Sequence, residues 1–268
     1  MPIAIIWHPR SAAAGSLDDF IDSLARFVSF LAALPRTRDP RSCPRVVVTG
    51  DFFTRFHPFF MEGVWDLYAA KGVILKPVDL ADLLLYGTYD GLAEAAHSWG
   101  MKPGKLALAK ACTRILQPDG QQFLRNWLAY QAERRVEQHY RGIFSRSGLL
   151  VAGENNVACL FDRAAEHMSP TIFGEAIPSV GKGLEAAVEG YDGIFLVGPF
   201  NCLPYRISEA ILRPVCLQGG MPLLTYESDG YSVAPAFFRQ VEVHIQQVLD
   251  RAARAGVSRP AFEPHPVP

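Results

Sequence analysis

The hydrophobic residues of this chain alternate between two rhythms. Leu17, Phe20, Ile21, Leu24, Phe27, Val28, Leu31 and Leu34 recur at helical spacing. Ser16 stands where an N-cap would, and Asp18 and Asp19 suit the positive end of the helix dipole. Pro35 and Pro40 end that helix, and the Arg/Pro-rich stretch from Pro35 to Arg45 reads as a linker. Val46-Val47-Val48, β-branched and bounded by Gly50, predicts a buried strand. Phe59 to Lys71 predicts a helix with Gly72 at its C-terminal cap, and Val73-Ile74-Leu75 predicts a second strand. Ile3 to Ile6 fits either a short strand or a frayed end.

From Leu80 to about Arg141 the spacing is helical and lacks period-2 alternation, so no sheet strand is expected there. Lys105 to Leu116 and Gln121 to Tyr140 are its clearest helices. The last third returns to strands and helices. A short helix is expected over Gly183 to Glu189, and the apolar run Gly193 to Gly198 reads as a strand buried on both faces. A helix over Leu203 to Leu212, a strand over Pro222 to Tyr226 and a closing helix over Pro235 to Ala255 follow. Strands alternating with helices imply an α/β protein. Its sheet should be mostly parallel, with helices on both faces and a helical insertion. The expected division is an N-terminal helix and linker (1–45), an α/β domain (46–258) with its insertion at about 80–145, and a tail (259–268).

Charge and composition narrow the function classes. The net charge of −1 gives no electrostatic footprint for nucleic acid. No apolar run approaches a membrane span, and the segment Met1 to Trp7 lacks the basic and long apolar regions of a signal peptide. Five scattered cysteines do not form a disulfide framework, so a reducing cytoplasm is expected.

In a doubly wound sheet, ligands bind beyond the carboxyl ends of the strands. Three predicted loops lie there: Thr49-Gly50-Asp51 with Phe52 to Pro58, Pro199 to Cys202, and Glu227 to Tyr231. Thr49, Gly50, Asp51, Asn201 and Asp229 are therefore the candidate cofactor-binding residues. Cys202 is the candidate metal ligand. A thiol at a helix start meets the dipole and free N–H groups, which favour the ligating thiolate. The alternative for Cys202 is that of most free cysteines, a small buried hydrophobe. Asp51 and Asp229 read either as an acid–base pair or as turn caps. Cys112 and Cys159 are expected in the core, Cys216 in a connection and Cys43 in the linker. His57 is expected as a surface or packing residue. The sequence carries no phosphate-loop, dinucleotide, hydrolase-elbow or zinc signature.

Two blocks of residues resemble the 2-hydroxyacyl-CoA dehydratase family, in particular its activase-related branch (DUF2229 proteins). The first block runs from Pro44 to Gly63, including Val46-Val47-Val48-Thr49-Gly50-Asp51-Phe52-Phe53-Thr54-Arg55-Phe56, and is followed by Ile74 to Leu80. The second includes Gly174 to Lys182, Gly190 to Gly193, Gly198-Pro199-Phe200-Asn201-Cys202-Leu203-Pro204 and Tyr226 to Gly230. The resemblance implies flavodoxin-like architecture and a 4Fe-4S type iron–sulfur cluster held by cysteines between lobes. It also implies radical dehydration or low-potential reduction of acyl-CoA thioesters, with electrons from an ATP-dependent activase. Only Cys202 carries over as a ligand, through its PFxCxP surroundings. Family members have further cysteine ligands in an N-terminal lobe that is absent or shortened here. The chain would then be a truncated homologue, one piece of a split gene, or a subunit whose site a second cluster-bearing chain completes. The alternative is a non-catalytic, cluster-free partner or scaffold that keeps the fold.

Overall fold

The computed structural model describes residues 17–150, 156–172, 174–186 and 188–255. Ser16, the segment Ile3–Ile6 and the tail lie outside them. Four parallel strands form one sheet: β1 (Arg45–Gly50), β2 (Ile74–Pro77), β3 (Gly193–Pro199) and β4 (Leu223–Ser228), in the order β2-β1-β3-β4. This is the expected α/β, flavodoxin-like arrangement. Val46 pairs with Leu75 on one side and Gly193 on the other, and Phe195 pairs with Leu224.

The central strands have no solvent face, which explains why they read as unbroken apolar runs. Val46, Val48, Phe195 and Val197 point to one side. There they pack beneath α3 (Val64–Ala70) and α10 (Pro235–Ala255), through Tyr68, Phe237, Val241, Ile245 and Val248. Val47 and Ile194 point to the other side. They meet Ala186, which ends α8 (Ala176–Glu185), and Leu212 and Cys216 of α9 (Leu203–Gly219). Side chains thus alternate across the sheet with the two-residue period of a strand.

The insertion is built of helices joined by turns and contributes no strand to the sheet among its described residues: α4 (Leu80–Ser98), α5 (Lys105–Thr113), α6 (Pro118–Ser145) and α7 (Val157–Ala164). Leu92, Phe123 and Phe161 build its core, which reaches Ile177 and Val180 of α8. We refer to α4–α7 as the cap. The N-terminal helix α1 (Leu17–Ala33) buries Val28 but leaves Phe20 and Phe30 exposed.

Several expectations need correction. The Phe52–Pro58 stretch is not all loop, because α2 (Phe52–Phe56) forms there behind the Asp51 cap. The helix expected from Phe59 starts at Val64, after a turn closed by Gly63 at φ 73°. The helix expected at Gly183 starts at Ala176. Pro178 sits in its first turn, where a missing N–H removes no intrahelical bond. The Leu203 helix continues through Pro214 to Gly219, so Cys216 lies buried in a helix and not in a connection. Cys112 is exposed, one residue past the buried Ala111.

Both sheet edges carry polar guards. Strand β2 is four residues long and contains Lys76 and Pro77. Beside β4, Arg213 donates to Thr225 Oγ1 at 3.0 Å, and Arg206 pairs with Glu227.

Candidate functional site at the carboxyl edge of the sheet

The strand order reverses between β1 and β3. The chain leaves β1 towards β2 on one side and leaves β3 towards β4 on the other. Their carboxyl ends therefore flank the switch point at which open α/β sheets bind ligands. The loop after β1 crosses very close to β3. Asp51 N–H donates to the Val197 carbonyl at 2.8 Å. Gly50 adopts φ 107°, and a Cβ there would lie 2.0 Å from the same oxygen. Only glycine fits this approach. Thr49, one residue earlier, is buried within β1 opposite Leu196.

Asp51 caps α2. Its Oδ1 accepts from Thr54 N–H at 2.7 Å and from the Thr54 hydroxyl at 2.6 Å. Asp229 accepts from Tyr231 N–H at 3.1 Å in a tight turn after β4. Each carboxylate has a local turn partner, as expected of Asp in such positions.

Across the crevice, Cys202 is the N-cap residue of α9, with its backbone extended and its N–H donating to the Pro199 carbonyl at 3.2 Å. Its side chain makes no capping hydrogen bond, and the residue is half-buried. Asn201 before it has φ 58°, the left-handed region that Asn tolerates better than most residues. Asn201 N–H donates to Glu227 Oε1 at 2.7 Å, and Glu227 also takes Arg206 from α9. Phe200 N–H reaches the Ser228 carbonyl at 2.7 Å. The fold thus brings Gly50–Asp51, Asn201–Cys202 and Asp229 to one edge.

Exposed apolar side chains surround it. Phe53, Phe56 and Phe59 project after β1, Phe200 and Leu203 flank Cys202, and Tyr231 follows Asp229. His57 lies among these rings, 4.9 Å from Phe53 and 5.4 Å from Phe60 between centroids. These exposed apolar side chains are thus concentrated beside the candidate loops.

The residues that the sequence did not single out lie behind this rim. Arg55 is buried, with Phe52 and Phe56 rings within 5.9 Å and 5.5 Å of its guanidinium. Nη1 donates to the Gly50 carbonyl at 2.6 Å, while Nε is buried without a partner. Burial lowers its pKa, and the nearby carboxylates of Glu175, Asp82, Asp51 and Asp79 oppose that shift. Glu175 accepts from Phe52 N–H at 2.9 Å, and burial raises its pKa despite Arg55. Asp82, in the first turn of α4, is 3% exposed, and its Oδ1 has no hydrogen-bond partner. Burial raises its carboxyl to about 6. Asp79 nearby is only half-buried, and Lys76 and Arg141 keep it below the usual carboxylate range.

The other cysteines lie elsewhere. Cys43 precedes β1 at the opposite end of that strand, Cys112 is on α5, and Cys159 on α7 faces the last turn of α8 near Glu185. Cys216 lines an open cleft of about 890 Å³ with Arg213 and Arg251, near the amino end of β4. Burial pushes that thiol up to about 11, which disfavours the thiolate. This cleft is the wrong end of the sheet for switch-point chemistry. Among the described residues no three His, Cys, Asp or Glu side chains gather where they could hold a metal ion. Iron–sulfur clusters commonly take four thiolates. The described part of this chain therefore does not by itself fit a complete cluster site.

Comparison with family models, curated proteins and solved structures found no match to this chain.

Proposed function

We propose that this chain is a component of an iron–sulfur acyl-CoA dehydratase- or reductase-like system in the cytoplasm. In this reading Cys202 supplies one ligand to a 4Fe-4S type cluster completed by a second, cluster-bearing subunit. An ATP-dependent activase delivers the low-potential electron, and an acyl-CoA thioester receives it. One observation carries the reading. Of the five cysteines, Cys202 alone stands at the switch-point edge, as the N-cap residue of a 17-residue helix with no capping hydrogen bond from its side chain. The apolar rim from Phe53 to Tyr231 supports a docked partner or acyl group there. No described helix is long and apolar enough to cross a membrane, and the near-neutral charge agrees with a partner other than nucleic acid.

The second reading is a cluster-free partner or scaffold. It is favoured by the lone thiol and by the local partners that Asp51 and Asp229 already have. Anaerobic iron and sulfide analysis separates the two. The protein is purified alone and together with any co-purifying chain, as wild type and as Cys202→Ala. Iron and sulfide in the wild-type complex that disappear in Cys202→Ala support the cluster reading. A complex that stays free of iron after anaerobic reconstitution, or one whose iron survives Cys202→Ala, supports the scaffold.

A further inference from the structure

Where the cap leaves the sheet, carboxylates outnumber cations. Asp82 is near Lys76 of β2, Asp79 at the start of its own helix, Arg141 of α6 and Lys182 of α8. It also lies within electrostatic reach of Arg55 on α2 and of Tyr191 in the turn before β3. Glu137 holds Arg141 at 2.7 Å, Glu189 holds Lys182 at 2.7 Å, and Glu175 faces Arg55. The cations are Arg55, Lys76, Arg141 and Lys182. Asp51, Asp79, Asp82, Glu137, Glu175 and Glu189 compete for them. Most of these cations are engaged by other carboxylates or carbonyls, whereas Asp82 Oδ1 has no partner in a fully buried position. A buried carboxylate without hydrogen bonds is far costlier ionised than neutral.

We propose that Asp82 is a proton-operated latch: protonated, it allows the first turn of α4 to stay packed on the sheet; ionised, it loosens the cap and the Arg55-held loop at the switch point. Arg55 makes the connection. Its guanidinium bonds the Gly50 carbonyl at 2.6 Å and lies within electrostatic reach of the Asp82 carboxylate, so a change of charge at Asp82 is felt by the group that holds the backbone of the candidate site. The direction follows from linkage. Asp82 binds its proton more tightly when closed than when opened to water, so closure is favoured in acid and weakened as pH rises. The inference does not depend on what Cys202 binds.

Hydrogen exchange between pH 5 and pH 8, corrected for intrinsic exchange, reads this directly. Amides in the first turns of α4 and in α2 should show opening constants that rise roughly ten- to hundred-fold across that interval. Asp82→Asn, which stays neutral, should be flat at both places. Equal pH slopes in wild type and variant overturn the latch. A response in α4 with none in α2 overturns the coupling through Arg55. Should Asp82→Asn fail to fold, carboxyl carbon NMR of the wild type decides. A midpoint well above the ordinary Asp value of about 4 supports the latch, and one at that value overturns it.

Discussion

The Tyr68 hydroxyl lies 2.6 Å from His244 Nδ1, inside the core between the sheet and α10. His244 Nε2 faces the Pro222 carbonyl but does not reach hydrogen-bond geometry. Both side chains are fully buried, so the imidazole is held neutral, and burial lowers its pKa to about 4. Its folded pKa thus lies below the unfolded value of about 6.5. The unfolded chain binds the extra proton first as pH falls. The contribution is full above that unfolded value and is lost on acidification towards the folded one. It amounts to at most about 3 kcal/mol. Urea unfolding at pH 7.5 and pH 4.5 should show this acid loss, and Tyr68→Phe/His244→Leu should reduce it. An unchanged pH dependence in the double variant rules the assignment out.

Asp82 acts with the opposite sign. Its folded pKa of about 6 lies above the unfolded value, so its contribution is present in acid and is lost as pH rises through that range. Asp82→Asn should therefore gain stability relative to wild type between pH 5 and pH 8, by roughly 1–3 kcal/mol. A variant whose stability difference is constant with pH would count against this.

Gly50→Ala should lower stability by at least about 3 kcal/mol, because it combines a positive φ with a clash against backbone. Denaturant unfolding of soluble variant, or failure to recover any, checks this. A loss under about 1 kcal/mol would mean that the loop moves freely from β3.

Glu175→Ala should remove the acceptor of Phe52 N–H and one counter-charge of buried Arg55 together. A loss of roughly 2–3 kcal/mol is expected, with partial recovery in Glu175→Gln, whose amide oxygen can still accept. Equal losses in both variants would assign the effect to packing.

Thiol alkylation followed by peptide mass spectrometry should order the cysteines by exposure. Cys112 should react first, the half-buried Cys202 and Cys159 later, and the buried Cys43 and Cys216 last. Rapid labelling of Cys216 in the native protein would contradict its place on the sheet-facing side of α9.

The sheet was legible in the sequence because strands covered on both faces must be apolar throughout. Val46 to Val48 and Gly193 to Gly198 meet that condition. Shorter elements escaped it. Phe52–Phe56 has too few residues for a helical period, and its cap signal, Asp51 followed by Thr54, is visible only locally. Phe59, Phe60 and Met61 imitate helical spacing while forming a turn. The candidate loops were legible from topology, since strand ends are where the chain must turn. The Arg55–Asp82–Glu175 group was not. Its members come from three separate segments, and a buried charge is indistinguishable from a surface one until the fold brings its partners to it.

The guarded edges of the sheet bear on how this molecule associates. Along β4, Arg213 bonds Thr225 and Arg206 pairs with Glu227, which places charge beside that strand. At the far side an added strand would meet Lys76 and the proline of a four-residue strand. Charge and proline on edge strands discourage lateral growth. Amyloid-like stacking through this sheet is therefore disfavoured even in concentrated solution.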